Sequence, residues 1–452
     1  MAAQMNGVVH ETRILPVSPG FSGKFKDANT LEDWELPTNK AQLAPLQEAA
    51  ALLRTSNTPV GFPTETVYGL GADATRSEAV KGIYKAKGRP SDNPLIIHVA
   101  DLRMLRSLLQ PSESLGNKSD QDVIPEVYKP LIKKFWPGPL TILLQNPTPS
   151  RLAPEVTAGL PTFGVRMPAS ALAQSLIQLA GVPLAAPSAN ASTKPSPTTA
   201  QHVKHDLNGR IELVLDGGAC QVGVESTVVD GFCSPPVVLR PGGVSIDHIR
   251  ECEGWSEVVK GYKDASEIGS HAPRAPGMKY KHYSPKARVV LFEANKHHNK
   301  GIPLEVFRII EKHEKQTEFQ SLKIGIISTK FWENWGGFHD AKWAREGKDA
   351  KTVVRSTSKN STQENGNIHI GELFYEGFGD FMIDEFIGEI VEIALGENTK
   401  DIAHGLFSAL RELDQRGVDV IYVEGIEDDS DDGDVAAAVM NRLRKAASHI
   451  EQ

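Results

Sequence analysis

GFPTETVYGLGADATRSEAVKGIYKAKGRPSDNPLIIHV, residues 61–99, combines two short strands, a helix and several polar turns. Val60–Phe62 is apolar, and Pro63 prevents this strand from continuing inside a central ladder. Thr64, Glu65 and Thr66 are therefore predicted on an exposed turn, where hydroxyl groups suit a polar ligand.

A helix is predicted after this turn. Thr75 and Glu78 have the T-x-x-E spacing of a capping box, and apolar residues from 79 to 84 recur at helical spacing. We expect the helix to run to about Lys87 and to stop at Gly88.

Two cationic residues stand at the end of this helix. They are Lys87 and Arg89, two positions apart in KGRP. Pro90 favours an extended Arg89, and alternate side chains of an extended segment point the same way, so both cations are expected to converge on one anion. Arg offers a bidentate fork for phosphate and Lys a point charge. A solvated surface turn is the simpler alternative. His98, in the apolar strand that follows, is typical of a hydrogen-bonded core residue and is also a ligand candidate.

Two familiar nucleotide-binding signatures do not account for this pattern. Gly69–Ala74 fits a loosened G-x-G-x-x-A fingerprint, but Pro63 interrupts the preceding strand, so we interpret these residues as a turn. No G-x-x-x-x-G-K-[ST] occurs in the sequence, which excludes a P-loop.

Composition indicates an ordinary water-soluble protein. The 452 residues are 40% hydrophobic and 23% charged, enough for two or three domains. A net charge of −8 argues against a protein that coats DNA or RNA. Cys220, Cys233 and Cys252 form no C-x-x-C pair, which favours a reducing compartment and no structural zinc. Without an apolar run of membrane-spanning length, a cytosolic enzyme is expected.

The chain is predicted to hold two domains. Residues 1–36 look irregular, 37–260 form a first domain, and 261–285 are a linker whose Tyr, Lys and His residues suit a lid. Residues 286–452 form a second α/β domain with a parallel sheet, in which the polar segment 331–368 is predicted to be a flexible insertion. The strands and helices predicted in this second domain are strand 287–292, a helix from about 303, strand 323–328, helix 401–416, strand 418–423 and helix 435–447.

Further polar residues interrupt the apolar strands of the first domain. Arg166 ends one strand, and a buried cation needs an anionic partner, either a structural salt bridge or a ligand. Ser188 and Asn190 follow another strand and alternate onto one side. Ser196 precedes a second capping box, Thr198 to Gln201.

Two candidates lie further along the chain. Ser226 stands at the start of the strand 225–230, and Arg240 ends the strand 237–240 just before a turn. An arginine at such a strand end resembles a ligand contact more than a core residue.

Five segments in this order resemble the threonylcarbamoyl-AMP synthase family over about residues 40–250: PTETVYGLG, KGRP with NPLIIHV, FGVRMP, APSAN and ESTVVD. The linker segment MKYKHYSP and the second domain resemble the two-domain form of these enzymes. The resemblance implies an α/β protein, with a twisted mixed-sheet catalytic domain of the YrdC type, a concave basic cleft, and a smaller C-terminal domain with a mostly parallel, Rossmann-like sheet.

The resemblance also implies a reaction. L-threonine, bicarbonate and ATP, carrying Mg²⁺, would give threonylcarbamoyl-AMP and pyrophosphate, for the threonylcarbamoyl modification of adenosine 37 in tRNA. The implied partner is the downstream tRNA threonylcarbamoyl-transfer complex, direct binding of tRNA or double-stranded RNA stays open, and the implied location is the cytoplasm, with a mitochondrial fraction left open.

Site residues follow from matching positions. Lys87 and Arg89 would stabilise charge at phosphorus. The L-threonine contacts would be Thr66, His98, Arg166, Ala186 and Ser226. The ATP contacts would be Arg89, Asn93, Thr162, Ser188, Asn190, Ser196, Arg240 and Tyr280.

Three alternatives use the same surface. An RNA-binding module would recognise phosphates by shape. A regulatory domain would bind ATP or threonine without turnover. A carbamoyltransferase of the hydrogenase-maturation type shares this domain, but it is a larger protein with zinc-binding C-x-x-C motifs, which this sequence lacks.

Overall fold

The computed structural model describes most of the chain in two compact units, Met1–Tyr280 and Lys281–Gln452. The described residues are 11–18, 20–110, 122–262, 283–294, 321–332, 334–338, 342–345, 348–356, 361–363, 366–377, 384–428 and 433–451. The predicted linker and lid therefore lie largely outside the described residues, as do Tyr280 and the helix expected from residue 303.

The first unit is built from strands and helices that alternate along the chain. Its strands are β1 (Arg13–Pro16), β2 (Lys24–Phe25), β3 (Trp34–Glu35), β4 (Val60–Pro63), β5 (Tyr68–Asp73), β6 (Ile96–His98), β7 (Leu140–Gln145), β8 (Thr162–Arg166), β9 (Leu184–Ala185), β10 (Leu213–Asp216), β11 (Thr227–Asp230), β12 (Val237–Arg240) and β13 (Val259–Lys260). Its helices are α1 (Lys40–Thr55), α2 (Ser77–Lys87), α3 (Leu102–Leu109), α4 (Lys129–Phe135), α5 (Pro154–Thr157), α6 (Ala171–Ala180), α7 (Ala200–Leu207) and α8 (Ile246–Arg250), with a 3-10 turn at Glu126–Tyr128.

Eleven of these strands form one mixed sheet, in the order β1-β10-β4-β5-β9-β6-β8-β7-β11-β12-β13. β1, β10 and β4 are parallel to one another, β5 and β9 run antiparallel to their neighbours, and β6 is parallel to β8. The mixed sheet expected for the first domain is confirmed. The parallel β6–β8 pair puts His98 in register with Arg166, so both side chains belong to the same end of the sheet.

Several local predictions for the first unit were wrong. The segment 1–36 is not simply irregular, because β1 pairs with β10 over four residues that lie 200 positions later in the chain. Gly69–Ala74 is not a turn but largely strand β5, paired with β4. Thr64, Glu65 and Thr66 are buried rather than exposed, because their polar atoms have protein partners.

Two helix starts also differ from prediction. Helix α2 begins after Arg76, because Thr75 bonds instead to the Asp73 carboxylate through its backbone N–H and its hydroxyl, at 2.9 and 2.7 Å. Helix α7 uses Thr199 as its N-cap, one residue later than expected, and this hydroxyl accepts from the N–H of His202. The predicted end of α2 at Lys87 is correct.

The second unit contains β14 (Arg288–Phe292), β15 (Leu322–Ser328), β16 (Lys342–Arg345), β17 (Lys348–Ser356), β18 (Ser361–Gln363), β19 (Gly366–Gly377), β20 (Asp384–Ala394), β21 (Val420–Glu424) and β22 (His449–Glu451), with helices α9 (Thr399–Gln415) and α10 (Gly433–Ala446) and a 3-10 turn at Asn334–Gly337. The strand order is β16-β17-β19-β20-β15-β21-β14-β22, with β18 against β19. The five strands from β20 to β22 in this order are parallel, which confirms the expected parallel α/β sheet.

The segment 331–368 is where the sequence prediction for this unit failed. It contains β16, β17, β18 and the start of β19, which extend the sheet with antiparallel pairs. β19 pairs with β20, β17 and β18 pair with β19, and β16 pairs with β17, so the local pattern of this polar segment did not predict these strands. Among the residues described, no helix is both long enough and apolar enough to cross a bilayer.

One buried carboxylate organises the end of the parallel sheet in the second unit. Glu424, at the end of β21, is 3% exposed and accepts from the backbone N–H groups of Thr329, Phe331 and Trp332 at 2.6, 2.5 and 3.1 Å. Burial raises the pKa of this carboxyl group, while the three N–H donors oppose that shift. Glu424 thus fixes the chain after β15.

Candidate active site

The first cluster of predicted site residues surrounds the ammonium group of Lys87. Lys87 is the last residue of α2, and Gly88 turns the chain with a left-handed φ of 61°, a conformation that disfavours other residues. The Lys87 side chain is 3% exposed, and its Nζ contacts the backbone oxygen of Ser188, the backbone oxygen of Asn190 at 2.6 Å and Oδ1 of Asn190 at 3.3 Å.

This geometry changes the interpretation of KGRP. Lys87 and Arg89 do not alternate along an extended segment, because Lys87 is helical and Gly88 reverses the chain direction. Lys87 is buried against the loop 188–190, while Arg89 is half-buried and its backbone N–H caps the helix on Tyr84. The expectation that Ser188 and Asn190 share one side is confirmed, since Ser188 Oγ donates to Asn190 Oδ1 at 2.6 Å.

The second cluster surrounds the guanidinium of Arg166, which is 4% exposed. Its Nη1 donates to Glu65 Oε1 at 2.6 Å and its Nε to His98 Nε2 at 3.0 Å. Its Nη2 donates to the hydroxyls of Thr64 and Thr66 at 3.0 and 2.9 Å. The anionic partner that the sequence demanded is therefore Glu65, a residue that was not among the predicted site residues.

The hydroxyl protons of this cluster have one consistent arrangement. Thr64 Oγ1 lies 2.7 Å from the carbonyl oxygen of Val67, and only the hydroxyl of that pair can donate. In the 2.9 Å contact between the two threonine hydroxyls, Thr66 must then be the donor. Because Thr66 also accepts from Arg166, its hydroxyl has only acceptor capacity left for a ligand.

His98 is a neutral acceptor in this cluster. Its Nε2 accepts from Arg166, so the ring proton belongs on Nδ1, which lies 3.3 Å from the carbonyl oxygen of Ile96. Burial first and the Arg166 charge second hold the pKa of His98 well below its ordinary value of 6.5. The side chain is thus suited to orient Arg166 rather than to carry a charge.

A third cluster joins Ser226 to Arg240. Nε and Nη2 of Arg240 donate to the carbonyl oxygen of Ser226 at 3.1 and 2.8 Å, and Nη2 also lies 3.1 Å from Ser226 Oγ. Ser226 Oγ further contacts Thr141 Oγ1 at 2.8 Å. Gly242 allows this packing, because a Cβ there would stand 2.2 Å from the backbone nitrogen of Thr227.

Four further residues described by the structure were predicted as ligand contacts. Ser196 Oγ donates to the buried carboxylate of Glu225 at 2.6 Å. Asn93 is buried, and its Oδ1 accepts no hydrogen bond from any described residue. Thr162 is half-buried at the start of β8, and the backbone N–H of Ala186 donates to the carbonyl oxygen of Ile96 at 3.0 Å.

Backbone contacts join the clusters into one region. The N–H groups of Val222 and Gly223 donate to the carbonyl oxygens of Glu65 and Thr66 at 2.8 and 3.1 Å, which ties the loop before Ser226 to the Arg166 cluster. The backbone N–H of Ala186 donates to the carbonyl oxygen of Ile96, two residues before His98, and the backbone oxygen of Asn190 accepts from Lys87. Four residues of extended chain span at most about 14 Å. The Arg166 and Lys87 clusters are therefore neighbours.

A cavity of about 330 Å³ adjoins the Arg166 cluster at the carboxyl ends of the parallel strands β1, β10 and β4. Thr64 and Glu65 belong to its wall, together with the first residues of α6. Both residues also contact the Arg166 guanidinium, so they link the wall of this cavity to the Arg166 cluster.

The ligand contacts assigned from the sequence did not include Glu65, Thr64, Thr141 or Glu225, although hydroxyl groups on the turn 64–66 were expected to suit a polar ligand. Glu65 and Thr64 lie inside PTET and Glu225 inside ESTVVD, so motif membership could have identified them. Thr141 carries no such signal, since it lies in the interior of an apolar strand.

Two protein families cover most of the chain. The family described as "Telomere recombination" matches residues 53–242, and the one described as "Threonylcarbamoyl-AMP synthase, C-terminal domain" matches residues 244–448.

Relatives that match over most of their length are threonylcarbamoyl-AMP synthases. The chain is 43% identical to a threonylcarbamoyl-AMP synthase of Schizosaccharomyces pombe, over 92% of this chain and 91% of that protein, and 40% identical to one of Bacillus subtilis, over 91% and 95%. The crystal structure of Pyrococcus abyssi Sua5 complexed with L-threonine is similar, with a TM-score of 0.65 and 34% identity over 98% of this chain and 100% of that one. The chain belongs to the threonylcarbamoyl-AMP synthase family.

Proposed function

We propose that this enzyme condenses L-threonine, bicarbonate and ATP to threonylcarbamoyl-AMP and pyrophosphate. The observation that carries this proposal is the arrangement of two buried clusters, one around the Arg166 guanidinium and one around the Lys87 ammonium, joined by the segment 186–190. Such a pair of clusters suits a product that contains an amino acid and a nucleotide phosphate. The L-threonine in the related crystal structure supports the amino-acid half.

L-threonine is proposed to bind at the Arg166 cluster. A buried guanidinium is a partner for the substrate carboxylate. Thr66 offers only an acceptor, so it would receive a hydrogen bond from the amino group or the hydroxyl of the substrate. Ser226, His98 and Ala186 complete the amino-acid site in this proposal.

ATP is proposed to bind around Arg89, Ser188, Asn190, Ser196 and Arg240. Asn93 and Thr162 join this site, as does Tyr280, which lies outside the described residues. The buried, unaccepted Oδ1 of Asn93 supports this assignment, because a buried amide oxygen without a donor is costly and a nucleotide can supply one.

The chemistry needs no protein nucleophile. The ammonium group of threonine first loses a proton, and the free amine then condenses with bicarbonate with loss of water, giving a carbamate. A carbamate oxygen then attacks the α-phosphorus, and the bond to the β-phosphate oxygen breaks to release pyrophosphate. Arg89 would stabilise the charge that develops on the phosphoryl oxygens, and Lys87 would add its charge while holding Ser188 and Asn190 in place.

Mg²⁺ is proposed to arrive with ATP. Phosphate oxygens are preferred ligands of this cation, and within the described part of the chain no group of three or more His, Cys, Asp or Glu residues competes for it. When bound, the cation neutralises charge on the triphosphate. We further propose that the product passes to the tRNA threonylcarbamoyl-transfer complex in the cytoplasm.

Pyrophosphate release tests the proposed function. We expect release that requires ATP, L-threonine and bicarbonate together, and threonylcarbamoyl-AMP as the second product by mass spectrometry. Release that is independent of threonine or bicarbonate, or binding of both ligands without release, would refute it. Tight binding of tRNA without turnover would instead favour an RNA-binding protein.

A further inference from the structure

Glu65 is a buried charge to which the proposed reaction gives no direct task. The residue is 7% exposed, and both oxygens of its carboxylate are engaged. Oε1 accepts from Nη1 of Arg166 at 2.6 Å, and Oε2 accepts from the backbone N–H of Ala169 at 3.0 Å. Glu65 therefore ties the side chain of Arg166 to the backbone three residues further along.

The hydrogen bonds that Arg166 makes within the protein leave few of its N–H groups for a ligand. A guanidinium carries five N–H groups. Four of them point to Glu65, His98, Thr64 and Thr66, so one N–H, on Nη1, has no acceptor among the described residues. This is the same nitrogen that Glu65 holds.

We propose that Glu65 is the positioning residue of the amino-acid site. By fixing Nη1 it aims the last N–H of Arg166 at the carboxylate of L-threonine. It also balances the Arg166 charge while the site is empty of substrate. This inference rests on the proposed function, because it assumes that Arg166 meets the threonine carboxylate.

Only a carboxylate can satisfy both donors that face residue 65. An amide presents one acceptor oxygen and one NH₂ group, so Glu65→Gln would place two donors against each other, either at Arg166 or at Ala169. The guanidinium would then lose its fixed orientation. Glu65→Asp keeps both acceptors but is one methylene shorter, so it should restore part of the function.

The test compares Michaelis constants for L-threonine and ATP in pyrophosphate release. For Glu65→Gln we expect the KM for L-threonine to rise about tenfold, the scale of one hydrogen bond to a charged group, with the KM for ATP changed less than twofold. Glu65→Asp should give an intermediate KM for L-threonine. The matched control is Glu155→Gln, which also removes a partly buried carboxylate with a 2.6 Å hydrogen bond, to Ser77, but should leave both constants unchanged.

Three results would overturn the inference: an unchanged or lower KM for L-threonine in Glu65→Gln, an equal rise in both constants, or, if Glu65→Gln does not fold, a Glu65→Asp protein with unaltered KM. Calorimetric titration with L-threonine separates this inference from the proposed function. Absence of turnover in the unaltered protein refutes the function, whereas equal threonine affinity of the unaltered and Glu65→Gln proteins refutes the role of Glu65.

Discussion

Replacing Lys87 by methionine should weaken the fold of the first unit as well as its activity. The Nζ of Lys87 contacts three oxygens of the loop 188–190 from a nearly fully buried position. Hydrogen bonds from a charged donor contribute about 1.5–3 kcal/mol each, and the cost of burying the ammonium offsets part of that sum. We expect Lys87→Met to lower the free energy of unfolding by about 3 kcal/mol.

Calorimetry can resolve this change. An unfolding entropy of about 2.1 cal/mol/K per residue gives about 0.6 kcal/mol/K for a unit of this size, so a loss of about 3 kcal/mol lowers the Tm by about 5 °C. The control is Lys85→Met, in the same last turn of α2 but exposed, which should shift the Tm by less than about 1 °C.

Pyrophosphate release should fall at least about 100-fold in Lys87→Met, because loss of the cation removes charge near the phosphates and frees Ser188 and Asn190. Equal unfolding midpoints for Lys87→Met and Lys85→Met would refute the reasoning. That outcome would mean that the contacts of Nζ with the loop contribute no net stability.

Further changes test other parts of the molecule. Thr64→Val removes the acceptor that orients the Thr66 hydroxyl, so the KM for L-threonine should rise about tenfold, whereas Thr64→Ser should stay within twofold in the same assay. His98 has a folded pKa below its ordinary 6.5, so the unfolded chain takes up the proton first and stability falls as the pH drops below about 6.5. In urea titrations, the free energy of unfolding of His98→Gln should therefore depend less on pH, by up to about 1.4 kcal/mol per pH unit below about 6.5. The same slope of unfolding free energy against pH in both proteins would contradict the assignment. Glu424→Ala should lower the free energy of unfolding of the second unit by about 2–4 kcal/mol in calorimetry, against less than about 0.5 for the exposed Glu427→Ala, and equal effects would exclude a role in fixing the loop.

The sequence predicted those features of the fold and of the site that depend on residues close together in the chain. The end of α2 at Gly88 and the need of Arg166 for an anion follow from neighbouring residues and from the cost of a buried charge. The identity of that anion did not follow, because Glu65 lies 101 positions away and short polar residues in a turn are usually exposed.

Pairing across the chain explains the other differences. β1 is a strand through its pairing with β10, and β16, β17 and β18 are strands through a succession of pairs that reaches β20 by way of β19. The local sequence pattern did not predict these distant pairs. Lys87 was expected to face an anion, yet its Nζ points to carbonyl oxygens 101 and 103 positions later. Lys87 is buried because carbonyl oxygens distant in the chain accept its hydrogen bonds, and its residue type alone does not predict this.

Strand β1 has a consequence for how this protein associates. It covers the backbone of β10, pairing Arg13–Pro16 with Leu213–Asp216, at one border of the eleven-stranded sheet. A chain that began after Pro16 would leave the N–H and C=O groups of β10 unpaired beside apolar side chains, and such a border recruits strands from other molecules. Chains that lack β1 should therefore aggregate more readily than chains that keep it, even with every site residue intact.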